Sequence, residues 1–148
     1  MTALATDLGL AGLWFDGQKH HPGLLAASEN PEHPVLKATA RWLATYWSGK
    51  ADPAPWPPLD LSRGTRFQRA VWAALLKIPP GSTSTYAAVA AAAGSPAAVR
   101  AAGAAIGRNP VSLVVPCHRV LGSGGALTGY AGGLERKRAL LVHEGVAR

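Results

Sequence analysis

Residues 8–15 read Leu-Gly-Leu-Ala-Gly-Leu-Trp-Phe and are closed by the turn pair Asp16-Gly17, a pattern that predicts an N-terminal strand or hairpin. Val35, Leu36, Thr39, Trp42, Leu43, Tyr46 and Trp47 recur at helical spacing after Pro34 and stop before Gly49, which predicts an amphipathic helix. Between 51 and 59, Pro53, Pro55, Pro57 and Pro58 permit neither a helix nor a central strand. A boundary is expected there, giving an N-terminal domain over 1–50, a Pro-rich linker over 51–61 and a C-terminal domain over 62–148. Thr65 and Gln68 have the spacing of a capping box, and the helix they open carries Phe67, Val71, Trp72 and Leu75 on one face. It stops before Pro79-Pro80-Gly81. Hydroxyls at 82–85 precede a short Ala-rich helix reaching Ala93, ended by Gly94. Ser95-Pro96 then predicts a cap with proline at the first helical position, for a helix running to about Gly107. Two helices around a glycine-containing turn make a helix-turn-helix candidate.

Composition narrows the class. A chain of 148 residues, 48% hydrophobic and 16% charged, has the balance of a globular protein with its own core. Its single cysteine excludes an internal disulfide and a Cys-rich zinc site, and His20, His21 and His33 make a poor zinc set, so no metal and no cofactor are expected. No apolar run approaches the roughly 18 residues of a membrane span, and no basic leader precedes an apolar segment, so a cytoplasmic protein without a membrane partner is expected. Charge is unevenly spread: the first sixty residues carry four Lys+Arg and six Asp+Glu, the remainder eleven and two. The second half therefore suits a polyanion, a basic solubilising surface being the plainer alternative.

Two stretches carry candidate chemistry. Ala97, Ala98, Ala101, Ala102, Gly103, Ala104 and Ala105 surround one basic side chain, Arg100. A helix with so little bulk brings its backbone close to a neighbour, either another helix or a DNA groove. The run Val111 to Val115 predicts a buried strand delivering Pro116-Cys117-His118-Arg119-Val120, where the only thiol sits. A lone cysteine often packs as a small hydrophobe. A nucleophilic one needs a base or a positive field, because a free thiol with pKa near 8.5 is only slightly ionised at neutral pH. His118 and Arg119 offer both. Spacing leaves open whether the imidazole reaches the sulfur directly or through water. Glu144 is one of two acidic residues in the basic half, either orienting that imidazole or charging a helix end.

In order, Gly64-Thr65-Arg66-Phe67-Gln68, Val71-Trp72, Ile78-Pro79, Tyr86, Arg100-Ala101-Ala102-Gly103, Asn109-Pro110, Pro116-Cys117-His118-Arg119-Val120, Gly129-Tyr130-Ala131-Gly132-Gly133 and His143-Glu144-Gly145 resemble the O6-alkylguanine-DNA alkyltransferases, or methylated-DNA–protein-cysteine methyltransferases. The resemblance covers nearly everything after the linker. It implies an α+β protein: a small α/β domain like ribonuclease H, whose opening strand Met1 begins too late to include, and a mainly helical, winged-helix-like C-terminal domain.

It further implies direct-reversal DNA repair, with the alkyl group of O6-alkylguanine passing irreversibly to Cys117, once per molecule; activity on O4-alkylthymine and alkyl size stay open. His118 would be the base acting through a water, Glu144 its partner, and Asn109 the tie between helix and active-site loop. Tyr86 would assist base flipping and protonate the departing purine. Arg100 would fill the gap left by the extruded nucleotide. Ala97, Ala98, Ala101, Ala102, Gly103 and Arg119 would meet the minor groove of double-stranded DNA. Tyr130, Ala131, Gly132, Val120 and Ile106 would form the base pocket, with Ser112 and Thr128 at positions where relatives vary. A monomer is expected. Two other classes compete: a non-catalytic reader of alkylated bases, whose known relatives lack the cysteine present here, and a Cys-His-Glu hydrolase, which would turn over repeatedly.

Overall fold

The computed structural model describes residues 1–50 and 55–146 and combines helices with very small sheets. Strand β1 (Thr2–Ala5) pairs antiparallel with β2 (Leu10–Trp14), Thr2 opposite Trp14, with a bulge at Leu4/Ala5. A strand thus precedes the predicted one, which the pattern over residues 8–15 does not announce. Thr-Ala-Leu-Ala has little intrinsic strand preference, and its partner holds it in place.

All five residues of β2 are buried, and both halves of the chain attach to it. On one side Leu10 N–H donates to Pro58 O at 2.7 Å and Asp60 N–H donates to Leu10 O at 2.9 Å. Gly9 permits this approach, since a Cβ there would lie 2.6 Å from Pro58 O. Further along, Leu13 N–H donates to Pro110 O at 2.8 Å and Ser112 N–H to Leu13 O at 2.9 Å. Of the predicted linker, 51–54 lies outside the described residues, and 58–60 runs beside β2.

Helix α1 (Pro34–Trp47) starts where the His33 ring accepts from Val35 N–H at 3.1 Å, with Pro34 in the first turn, where a missing N–H costs nothing. It buries Val35, Thr39, Trp42 and Tyr46. Helix α2 (Arg66–Leu75) opens on a complete capping box: Gln68 N–H donates to Thr65 Oγ1 at 3.1 Å and Thr65 N–H to Gln68 Oε1 at 3.0 Å. Strand β3 (Ser84–Thr85) leads into α3 (Tyr86–Ala92), capped by Thr85 and followed by Gly94 at φ 85°.

Helix α4 (Val99–Gly107) begins later than Ser95-Pro96 predicts. Its N-cap is Ala98, without a side-chain cap, because 95–98 closes as a separate turn in which Ala98 N–H donates to Ser95 O. α3 and α4 both pack on α2. Trp72 Nε1–H donates to Ala105 O at 2.9 Å, and a Cβ at Gly64 would collide with the Trp72 ring.

The run 111–115 is buried, as predicted, but is not a strand. After one rung against Leu13 it turns, with Leu113 at φ 71° and Val115 N–H donating back to Val111 O. A short apolar run fixes burial without fixing conformation. A 3-10 turn, Cys117–Arg119, comes next, then β4 (Val120–Leu121), parallel to β3, and α5 (Leu134–His143). Among the described residues no helix is long and apolar enough to cross a membrane.

Candidate active site

A cavity of about 270 Å³ opens between α3, α4, the 129–131 loop and the 19–20 segment, lined by Lys19, His20, Tyr86, Gly103, Ile106, Gly107, Cys117, Gly129, Tyr130 and Ala131. Cys117 is its only thiol and is 6% exposed. Asn109, itself buried, organises the turn beneath it: Oδ1 accepts from Val111 N–H at 2.9 Å, while Nδ2 donates to Val115 O at 2.8 Å and to Cys117 Sγ at 3.1 Å. One amide therefore joins the end of α4 to the thiol. Burial pushes the thiol pKa up, against the Asn109 hydrogen bond, so the resting sulfur carries its proton.

His118 is fully buried, and burial lowers its pKa despite the adjacent carboxylate. The imidazole is neutral, and its Nε2–H donates to Glu144 at 2.8 and 3.1 Å. The Nδ1 lone pair is then the basic one, and it is buried without a partner among the described residues. Glu144 also accepts from Arg119 Nε at 3.0 Å, from Arg119 Nη2 at 2.7 Å and from Tyr46 Oη at 3.1 Å. Burial raises the Glu144 pKa, but the His118 and Arg119 hydrogen bonds outweigh it and bring it to about 2.

Several expected assignments change. Arg119 is not a surface group: its remaining nitrogen Nη1 donates to Ile78 O at 2.6 Å, so all three guanidinium nitrogens bond inside the protein. Ala102 is 0% exposed and points at the core, because α4 buries the 102, 105, 106 stripe and presents Arg100, Ala101 and Ala104 outward; Ala97 is exposed in the turn before the helix. Ala98 is half-buried at the cap. Gly103 lines the cavity instead of the outer face.

Ile106, Tyr130 and Ala131 line the cavity as expected. Ser112 does not; it is buried and donates to Gln18 Oε1 at 3.3 Å. Gly132 is packing space, since a Cβ there would meet Tyr130 and, at 3.2 Å, Phe15. Val120 is wholly in the core, and Thr128 takes part through its carbonyl, which accepts from Tyr86 Oη at 3.0 Å.

Two residues escape the sequence pattern. Tyr46 reads as part of the α1 core, yet its hydroxyl reaches Glu144; a buried tyrosine needs such a partner. Lys137 is 0% exposed and its Nζ donates to Thr128 O at 2.7 Å and Gly129 O at 3.1 Å, tying down the loop that carries Tyr130. A signal for it exists: 137, 140, 141 and 144 form one helical stripe with Leu140 and Leu141. Burial lowers the Lys137 pKa to about 8, and the nearby sulfur of Cys117 opposes the shift.

Comparison with known proteins agrees with this arrangement. Residues 66–146 match the family model described as the DNA-binding domain of 6-O-methylguanine DNA methyltransferase. The chain is 42% identical over 144 residues to the methylated-DNA–protein-cysteine methyltransferase of Mycolicibacterium paratuberculosis, covering 97% of this chain and 85% of that protein. To the Mycobacterium bovis protein of the same name it is 59% identical over 86 residues, 58% of this chain and 52% of that one. The crystal structure of Mycobacterium tuberculosis O6-methylguanine methyltransferase superimposes with a TM-score of 0.79 at 39% identity, covering 96% of this chain and 90% of that one. A structure of the M. tuberculosis protein in complex with DNA gives 0.76 at 37% identity over the same shares. A thiol held by an amide beside a neutral histidine–glutamate pair, in a chain matched over nearly its whole length, places this protein in the methylated-DNA–protein-cysteine methyltransferase family.

Proposed function

We propose that this protein repairs DNA by moving the alkyl group of O6-alkylguanine onto Cys117 Sγ. The observation that carries this reading is the thiol in the cavity wall with Asn109 on its sulfur and His118 next in the chain, its Nδ1 unpartnered. His118 Nδ1 takes the thiol proton through a water, and Glu144, itself held by Arg119, holds the imidazole that receives it. The sulfur lone pair forms the new C–S bond as the C–O6 bond breaks, leaving its electrons on the purine, which takes the Tyr86 hydroxyl proton, while the proton held by His118 returns through solvent to the phenolate. The product thioether has no leaving route, so each molecule acts once. The Lys137 amine, bonded to two carbonyls, favours the thiolate and holds the base-pocket loop.

A stacked base does not offer its O6 substituent in line to a buried sulfur, so the nucleotide is extruded into the cavity. The exposed face of α4, with Arg100, Ala101 and Ala104, together with Ala97 in the preceding turn, suits close approach to the minor groove, Arg100 filling the vacated stack. In this reading α3 and α4 are the helix-turn-helix of a winged-helix-like part, the hairpin and α1 belong to a ribonuclease H-like part, and the protein acts as a cytoplasmic monomer.

Intact-mass measurement after mixing with duplex DNA containing one O6-methylguanine tests this: Cys117 gains one methyl, about 14 Da, and the reaction stops at one equivalent. Product beyond one equivalent points to the hydrolase reading, and tight binding without a mass change to the non-catalytic reader. Arg100→Ala is expected to slow transfer from duplex DNA far more than from free O6-benzylguanine, since only the duplex carries an unstacking cost.

A further inference from the structure

The cavity that holds Cys117 is not built by the C-terminal half alone. Lys19 and His20 line it from the segment after β2, and both side chains are exposed there. Their placement is specified by the fold. Lys19 N–H donates to Ala131 O at 2.9 Å, joining the segment to the base-pocket loop. Gln18, 7% exposed, accepts from Phe15 N–H at 2.8 Å and from Ser112 Oγ at 3.3 Å through Oε1, and donates from Nε2 to Lys19 O at 3.2 Å. His20 has φ 64°, a left-handed conformation uncommon outside glycine.

Both charged groups that act on His20 are basic. The groups acting on His20 are Lys19 and Arg108, the latter exposed at the C-terminal end of α4. Neither Lys19 nor His20 makes an ion pair or side-chain hydrogen bond among the described residues. Lys19 is one of only four basic residues in the first sixty, and it stands at the mouth of the thiol cavity. The apolar and aromatic walls contributed by Ile106, Tyr130 and Ala131 suit a base. Ammonium and imidazole at the exposed mouth suit the anionic backbone that an extruded base draws with it.

We propose that Lys19 and His20 form a rim that grips a phosphodiester of the strand carrying the extruded nucleotide, so that the N-terminal half contributes directly to DNA binding. This rests on the alkyl-transfer reading of Cys117. The ligand is a backbone phosphate: the rim carries no sequence information and acts on duplex DNA but not on a free base.

The test is the double variant Lys19→Ala/His20→Ala in the full chain, both positions being exposed. Affinity for duplex containing O6-methylguanine is measured by fluorescence anisotropy across a salt series, and single-turnover transfer is measured from the duplex and from free O6-benzylguanine. The expected result is affinity weaker by about tenfold and a salt slope shallower by roughly one phosphate's worth, with transfer from the free base within about twofold of the parent. Lys19→Arg, which keeps the charge, is expected to retain the parent slope. Unchanged affinity and slope overturn the proposal, and so does an equal loss on duplex and free base, which would place these residues on the base itself. A parent protein that gains no alkyl group counts against the alkyl-transfer reading, while the affinity and slope still decide whether the rim binds phosphate.

Discussion

Lys137 and Glu144 lie two turns apart on one buried face of α5 and its C-cap, and the protein treats them in opposite ways. Glu144 receives hydrogen bonds from His118, Arg119 and Tyr46, so its charge is favoured by folding. Lys137 meets two carbonyls and no carboxylate, so its charge is opposed by folding. The difference separates two tasks. A fully compensated carboxylate fixes a neutral imidazole in one tautomer and leaves Nδ1 basic. An undercompensated amine leaves positive potential for the sulfur to use when it loses its proton.

The most damaging way to break this contrast is Glu144→Ala, which strands the Arg119 guanidinium in the interior. Removing one partner of a buried pair costs about 3–5 kcal/mol, and a corresponding fall in thermal midpoint is expected by calorimetry. Titration probes the same contrast without substitution. Glu144 has a folded pKa of about 2 against an ordinary 4.5, so below pH 4.5 the unfolded chain binds the proton that the folded chain refuses. The stability it contributes, of order 3 kcal/mol, is present above that window and is lost as pH falls from about 4.5 to about 2.

Lys137 sharpens the other arm. Its folded pKa of about 8 lies below the ordinary 10.5, so between those values the unfolded chain again holds the extra proton and stability rises with pH. The gain is of order 3 kcal/mol across that window, and denaturant melts should show this rise vanish in Lys137→Met. Transfer from free O6-benzylguanine is expected to slow by about tenfold in the same variant, corresponding to about 1.4 kcal/mol in the barrier. An unchanged rate would mean that the amine serves the loop alone. Tyr46→Phe is the mildest probe: it removes one of several donors to Glu144, and a loss of about 1 kcal/mol is expected with no change in the single-turnover rate.

Local signals in the chain are legible wherever a few neighbouring residues decide the outcome. Thr65 and Gln68 close their box, Pro34 starts α1 and Gly94 follows α3, because caps and turns are settled within a few residues. His118 meets Glu144, the partner that the resemblance implies, while the thiol is bonded by Asn109. The expectations that fail depend on distant partners. The chain at 111–115 turns because Asn109 and Leu13 claim its first residues. Arg119 is a buried clamp because Ile78 O and Glu144 meet it from other segments. Ala102 can be assigned to the inner face only once α4 is known to begin at Val99. The part played by Lys19 and His20 depends on a fold that returns residues 129–131 to them, which no short-range pattern announces.

The indole of Trp72 sets a constraint on how this chain can vary. Its ring occupies the space over Gly64 and its nitrogen holds Ala105 O, so one side chain measures the gap between the start of α2 and the inner face of α4. A side chain at 64 displaces the ring, and a smaller ring releases α4, which carries Gly103, Ile106 and Gly107 in the wall of the thiol cavity. Positions 64 and 72 are therefore bound in an epistatic pair: either change alone misaligns the helix with its own acceptor, and only a joint exchange of volume, with a donor kept for Ala105, gives a passable route between sequences.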